Sequence, residues 1–109
     1  MAVCLNSPAV FRFTAPTNPQ LHLYAAGLMG VDTSGASPDD AGDLLAGALI
    51  DIMKSAGMPN GLSAVGYGPD DIDQLVEGTL PQHRVTKLSP RPADADDLRG
   101  LFMESMTCW

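Results

Sequence analysis

The sequence predicts an all-α domain of four to five helices. Three observations carry that expectation. Apolar residues recur at three- and four-residue steps in several windows, as one buried helix face requires. Acidic residues follow Pro or Ser at the starts of those windows, where the helix dipole favours them. No window shows the clean apolar–polar alternation of a half-buried strand. At 109 residues the chain is one domain, 1–109, with no room for a second. Size scaling gives a folded surface of about 5,800 Å², with about 65% of the unfolded surface buried.

Residues 1–15 are apolar and aromatic, with Leu5, Val10, Phe11 and Phe13, but carry no helix-start signal. Pro8 would kink a helix that crossed it, or else start a new helical turn. Helix is favoured, because strand alternation is absent. A second helix begins near Asn18 and Pro19, carries Leu21, Ala25, Leu28 and Met29 on one face, and stops at Gly30. The clearest helix spans 37–56. Ser37 is its N-cap, Pro38 its first residue, and Asp39, Asp40 and Asp43 lie near its start. Its stripe is Ala41, Leu44, Leu45, Ala48, Leu49, Ile52, Met53 and Ala56, and Gly57 with Pro59 ends it. Gly42 and Gly47 weaken it by up to about 1 kcal/mol each unless they permit close packing.

A further helix follows Gly68 and Pro69, with Ile72, Leu75, Val76 and Leu80 on one side. The last opens near Arg91 and Pro92 behind Asp94, Asp96 and Asp97, with Leu98, Leu101, Phe102, Ser105 and Met106 as its stripe. Trp109 is placed to pack as a lid. Loops fill 31–36, 58–68 and 79–91.

Composition excludes several function classes. Six Lys and Arg stand against thirteen Asp and Glu, a net charge of −7. That excludes a uniformly basic nucleic-acid surface and disfavours an anionic membrane as partner. The longest apolar stretch, 44–50, is too short to span a bilayer. The start has no basic run, so no secretory signal is readable. Cys4 and Cys108 form no disulfide framework and read as free thiols. Together these point to a cytoplasmic location.

Catalytic motifs are missing. Gly66 and Gly68 flank Tyr67 without forming a dinucleotide fingerprint. His22 and His83 are too far apart in sequence to suggest a metal site, and both read as surface histidines. The acidic runs at 70–73 and 94–97 lack the calcium-loop pattern and read as helix starts. One polar stretch, 78–92, holds three of the six basic side chains, Arg84, Lys87 and Arg91, with His83 beside them. In so acidic a chain it is the candidate for meeting an anion, a substrate carboxylate or a phosphate. A solvated loop whose cations offset nearby aspartates is the alternative.

Three blocks resemble a known family: residues 7–16 (SPAVFRFTAP), 61–67 (GLSAVGY), and 78–82 with 84–90 (GTLPQ, RVTKLSP). In order, they resemble the C-terminal part of iron-containing alcohol dehydrogenases, nearest the hydroxyacid-oxoacid transhydrogenase branch. The resemblance covers essentially the whole chain. It implies the helical C-terminal domain of the alcohol dehydrogenase and dehydroquinate synthase-like fold. In that family an N-terminal α/β domain binds NAD(P), and a divalent metal, iron or zinc, sits on one Asp and three His. The family's last metal-binding His lies just before the segment that residues 1–3 resemble. Neither His22 nor His83 falls on a ligand position, so no metal, catalytic or cofactor-binding residue carries over to this chain.

The resemblance implies hydride transfer between a hydroxyl carbon and a nicotinamide in the complete enzyme. Arg84 or Lys87 is then the candidate partner of a substrate carboxylate, and His83 a candidate proton relay. This chain would be inactive alone, with the nucleotide-binding domain supplied elsewhere in the protein or by a separate chain. The alternative is a stand-alone helical module for interaction or oligomerisation. Exposed apolar surface around Val3, Leu5, Val10, Phe11 and Phe13 predicts a homo-oligomer or poor solubility.

Overall fold

The computed structural model describes residues 2–82 and 89–109. Among the described residues there are five α-helices and no strand. They are α1 (Ala2–Thr14), α2 (Pro19–Leu28), α3 (Ala41–Ser55), α4 (Ile72–Thr79) and α5 (Ala95–Glu104). Single 3₁₀ turns, Pro38–Asp40 and Pro69–Asp71, lead into α3 and α4. The helices pack as a row in which α2 meets α3, α3 meets α1, α1 meets α5, and α5 meets α4. The molecule measures 41 × 31 × 19 Å.

Helix α1 runs through Pro8 without interruption. Proline removes one N–H and orphans the carbonyl four residues earlier, that of Cys4. The Ser7 hydroxyl donates to that carbonyl at 2.7 Å. The Ser-Pro pair therefore repairs the defect that Pro8 alone would leave.

Asn18 caps α2, its side chain accepting from the Leu21 N–H at 3.2 Å, and Gly30 follows with φ +94°. The expected apolar face of α2 is corrected. Ala26 is fully buried, whereas Leu21, Tyr24 and Leu28 are exposed. Ala25 and Met29 of the expected face are half-buried, as is Leu23, so the covered side of α2 centres on Ala26.

In α3 the expected stripe holds at Ala41, Leu45, Ala48 and Met53, all buried. Ala46, outside that stripe, is also fully buried, and Ile52, inside it, is exposed. Close packing is realised at Gly42, where a Cβ would lie 3.1 Å from Arg12 Cα and 3.2 Å from Ala15 Cβ. Gly47 has no such neighbour. The start of α5 is later than expected. The Asp94 side chain accepts from the Asp97 N–H at 2.8 Å, and Asp97 accepts from the Asp94 N–H at 3.2 Å. That reciprocal cap fixes the first turn at Ala95 and leaves Arg91 and Pro92 outside.

The core is Leu5, Met53, Leu62, Ile72, Val76, Leu98 and Met106. Leu5, expected on an exposed face, is buried, because the 105–108 segment folds back over it. Val3, Val10 and Phe11 are exposed as expected, and Phe13 is half-buried. Residues 60–63 pair with 105–109. Leu62 N donates to Ser105 O at 2.9 Å and Ser63 N to Met106 O at 3.0 Å. Asn60 Oδ1 accepts from Cys108 N at 2.7 Å and Trp109 N at 2.9 Å. The Trp109 ring carries the Lys54 ammonium at 5.8 Å and stays partly exposed, so it covers little of the core.

Cys4 is exposed, Cys108 is half-buried, and neither is bridged. The Cys108 thiol donates to Leu5 O at 3.3 Å. Burial pushes its pKa up, and Arg12 opposes this only in part. A raised pKa keeps the thiol protonated to higher pH, so the reactive thiolate is scarcer there. Maleimide at mildly alkaline pH is expected to modify Cys4 first. Faster labelling of Cys108, read by peptide mapping, would contradict this packing.

Candidate substrate-cleft wall

The cationic stretch singled out in the sequence leaves α4 and returns to α1, and both of its ends are anchored. At the first end Thr79 Oγ1 donates to Leu75 O at 2.8 Å and Gln82 N donates to Thr79 O at 2.9 Å. At the second, Arg91 Nη1 donates to Phe13 O at 2.9 Å, and its guanidinium lies 4.1 Å from the Phe13 ring centre. Phe13 O belongs to the last turn of α1, whose carbonyls lack helical partners. Arg91 therefore caps α1 and stacks on its ring, and acts as an anchor. His83, Arg84 and Lys87 lie outside the described residues.

Beside the first anchor is a groove of about 520 Å³ between α1, α4 and α5. Leu62 and Leu98 form its floor, Leu75, Leu101 and Phe102 its sides, and Val3, Val10 and Tyr67 its rim. No charged side chain among the described residues lines it. Asn6 and Thr79 are its polar members. Asn6 and Tyr67 were not candidates in the sequence, because only the return of the 58–68 loop onto α1 and α5 brings them together.

The other titratable groups have structural work. His22 is half-buried rather than on the surface. Its Nδ1 is 2.7 Å from Asn18 O and its Nε2 2.9 Å from Thr14 Oγ1, with the Phe11 ring edge-on at 6.1 Å. A donor Nδ1 and an acceptor Nε2 satisfy both contacts. Arg12 Nε donates to Asp43 at 3.1 Å, and its Nη1 reaches Glu104 at 3.5 Å, tying α1 to both neighbours in the row. Arg99 bonds Asp73 at 2.9 Å, joining α5 to α4. Asp32 accepts from Ser34 Oγ at 2.7 Å and Ser34 N at 3.0 Å, and those bonds lower its pKa. The expected roles of the acidic runs hold where Asp71 accepts from Gly68 N at 2.8 Å and where Asp94 caps α5.

No group of three or more His, Cys, Asp or Glu among the described residues could hold a metal ion. The donor set does not fit the metal that the resemblance implies, and no strand–turn–helix for a dinucleotide occurs among them. What the described surface offers is shape: a wall of helices with an apolar groove.

That shape defines the class. A crystal structure of 1,3-propanediol oxidoreductase superposes with a TM-score of 0.84 at 24% identity, over 94% of this chain and 26% of that one. The fold is thus that of the helical part of such an oxidoreductase.

The sequence is more specific. It is 56% identical over 108 residues to a probable mitochondrial hydroxyacid-oxoacid transhydrogenase of Dictyostelium discoideum, and 49% identical over 106 residues to the mitochondrial hydroxyacid-oxoacid transhydrogenase of Homo sapiens. These matches cover 99% and 97% of the chain but only 20% and 23% of the relatives. The chain therefore resembles one stretch, about a fifth, of the hydroxyacid-oxoacid transhydrogenases. No family model matches it. A cytoplasmic location does not stand, because these relatives are named mitochondrial. Free thiols and a start without a basic run do not distinguish one reducing compartment from another. No described helix is long and apolar enough to cross a membrane.

Proposed function

We propose that this chain forms one wall of the substrate cleft in an NAD(P)- and metal-dependent oxidoreductase acting on an alcohol or hydroxyacid. The observation that carries the proposal is identity of 48–56% along nearly the whole chain to transhydrogenases four to five times its length. Nicotinamide and metal would be held by the part of the protein outside this chain, since the described residues lack the ligands for either. The chain alone would then be inactive.

Its own contribution would be to bind and orient. The anchored ends of the 79–91 connection limit where its cations can reach. Arg84 or Lys87 would pair with a substrate carboxylate, and His83 would lie close enough to relay a proton. Self-association belongs to the proposal as well, supported by the outward Leu21, Tyr24 and Leu28 of α2.

The test is to join the chain to the preceding region of a transhydrogenase and measure hydride transfer kinetics. Loss of one charge-assisted hydrogen bond costs about 1.5–3 kcal/mol, so Arg84→Ala or Lys87→Ala should raise KM for the hydroxyacid by roughly tenfold to a hundredfold. The change in kcat should be smaller, because such a contact binds ground and transition states alike. An unchanged KM in both variants would remove the carboxylate role.

A further inference from the structure

We propose that Asn60, followed by Gly61, is a site of spontaneous deamidation that the 105–109 segment holds shut, and that reaction there releases this segment.

The chemistry begins in the sequence. An asparagine deamidates when the backbone nitrogen of the next residue attacks its carboxamide carbon. Here the bond from Gly61 N to Asn60 Cγ forms and the Asn60 Cγ–Nδ2 bond breaks. Nδ2 leaves as ammonia, taking the proton that Gly61 N gives up. Water then opens the succinimide ring at either carbonyl, leaving aspartate or isoaspartate at position 60. The whole sequence is hydrolytic and consumes no oxidant or reductant. Glycine after asparagine is the favourable case, because no side chain shields its nitrogen. The asparagines of the chain are Asn6, Asn18 and Asn60. Asn6 precedes Ser7 within α1, where the helix fixes the backbone. Asn18 precedes Pro19, which has no N–H to give up. Asn60 alone precedes a glycine.

The fold restrains both reacting groups. Gly61 N donates to Pro59 O at 3.0 Å, so its proton is engaged. The carboxamide of half-buried Asn60 is held at both ends. Its Oδ1 accepts from Cys108 N at 2.7 Å and Trp109 N at 2.9 Å, and its Nδ2 donates to Trp109 O. Cyclisation therefore requires the 105–109 segment to lift, a local opening rather than global unfolding.

The products cannot restore the clamp. Both lack Nδ2, so Trp109 O loses its donor, and both add a negative charge to a chain already at −7. Isoaspartate also lengthens the main chain by a methylene next to Gly61. There is no slack there, since even a Cβ on Gly61 would lie 2.4 Å from Met106 O. The pairing of 60–63 with 105–109 then fails to re-form, and Leu5 loses its cover.

The 109-residue chain would be kept at mildly alkaline pH, folded in buffer and unfolded in urea, and Asn60 followed by peptide mapping. Reaction through a minor open state is slowed by the fraction open. Folding should therefore slow modification by about tenfold or more without stopping it. Ser63→Ala removes the exposed Ser63 hydroxyl's bond to Met106 O at 2.6 Å. It should speed reaction in the folded chain roughly two- to tenfold. Gly30→Ala lowers global stability away from the clamp and should change the rate less than about twofold. The purified isoaspartate product should lose amide-exchange protection at Leu62 and Ser63.

No modification in urea, or none in the folded chain, overturns the site. Equal rates in the two, or no acceleration by Ser63→Ala, overturn the gating. Acceleration by Gly30→Ala equal to that by Ser63→Ala places the gate at global unfolding and also overturns it. Full protection of Leu62 and Ser63 in the isoaspartate product overturns the release.

Discussion

Replacing Gly61 with alanine is expected to destabilise the chain by about 3–5 kcal/mol, from backbone strain together with lost hydrogen bonds. Gly61 has φ +79° and ψ −175°, a region essentially reserved for glycine. A Cβ there would lie 2.4 Å from Met106 O and 2.6 Å from Ser105 O. Those two carbonyls accept the Ser63 and Leu62 amides, so the clash falls on the pairing that closes the molecule. Neither side can yield, because both are backbone. Gly30→Ala is the matched control. Its φ is +94°, but nothing lies within 4 Å of the added carbon. Only the conformational cost remains, about 1–2 kcal/mol. Urea unfolding followed by circular dichroism measures both. Equal losses would mean that the 60–63 and 105–109 segments do not pair.

Leu5→Ala is the second large effect. Leu5 is 1% exposed and stands in the core with Met53, Leu62, Ile72, Val76, Leu98 and Met106. Large-to-small substitution at such a site costs about 2–5 kcal/mol, because a cavity adds to the lost transfer energy. Leu28→Ala, on the outward face of α2, should cost less than about 0.5 kcal/mol. A reversed order would show that α1 is rotated about its axis, with Leu5 turned away from the core.

The helices were legible in the sequence because their caps are local. Ser37, Asn18 and Asp94 each act within three residues, and glycines end α2 and α3. Facing was legible only where large apolar residues point inward. Beside the larger buried residues of α1 and α3, Ala9, Ala15, Ala41, Gly42 and Ala46 are buried too, and small residues carry little periodic signal. On α2, Leu21 and Leu28 of the expected face sit outside while Ala25 and Met29 are half-buried, so periodicity placed that face only in part. The groove was illegible for a different reason. It is assembled from Val3, Tyr67, Leu75 and Phe102, which lie far apart in sequence. The carboxylate-binding candidates Arg84 and Lys87 rest on charge in sequence alone. Arg91, from the same stretch, proved to be a helix cap, which chemistry at one position could not have revealed.

The most direct measurement of the central claim is hydride transfer by two samples, this chain alone and this chain joined to the preceding region of the Dictyostelium relative. Each would be supplied with a hydroxyacid, NAD(P) and a divalent metal. The account predicts no turnover by the chain alone and turnover by the joined protein. Turnover by the chain alone, or a folded joined protein without activity, would contradict it.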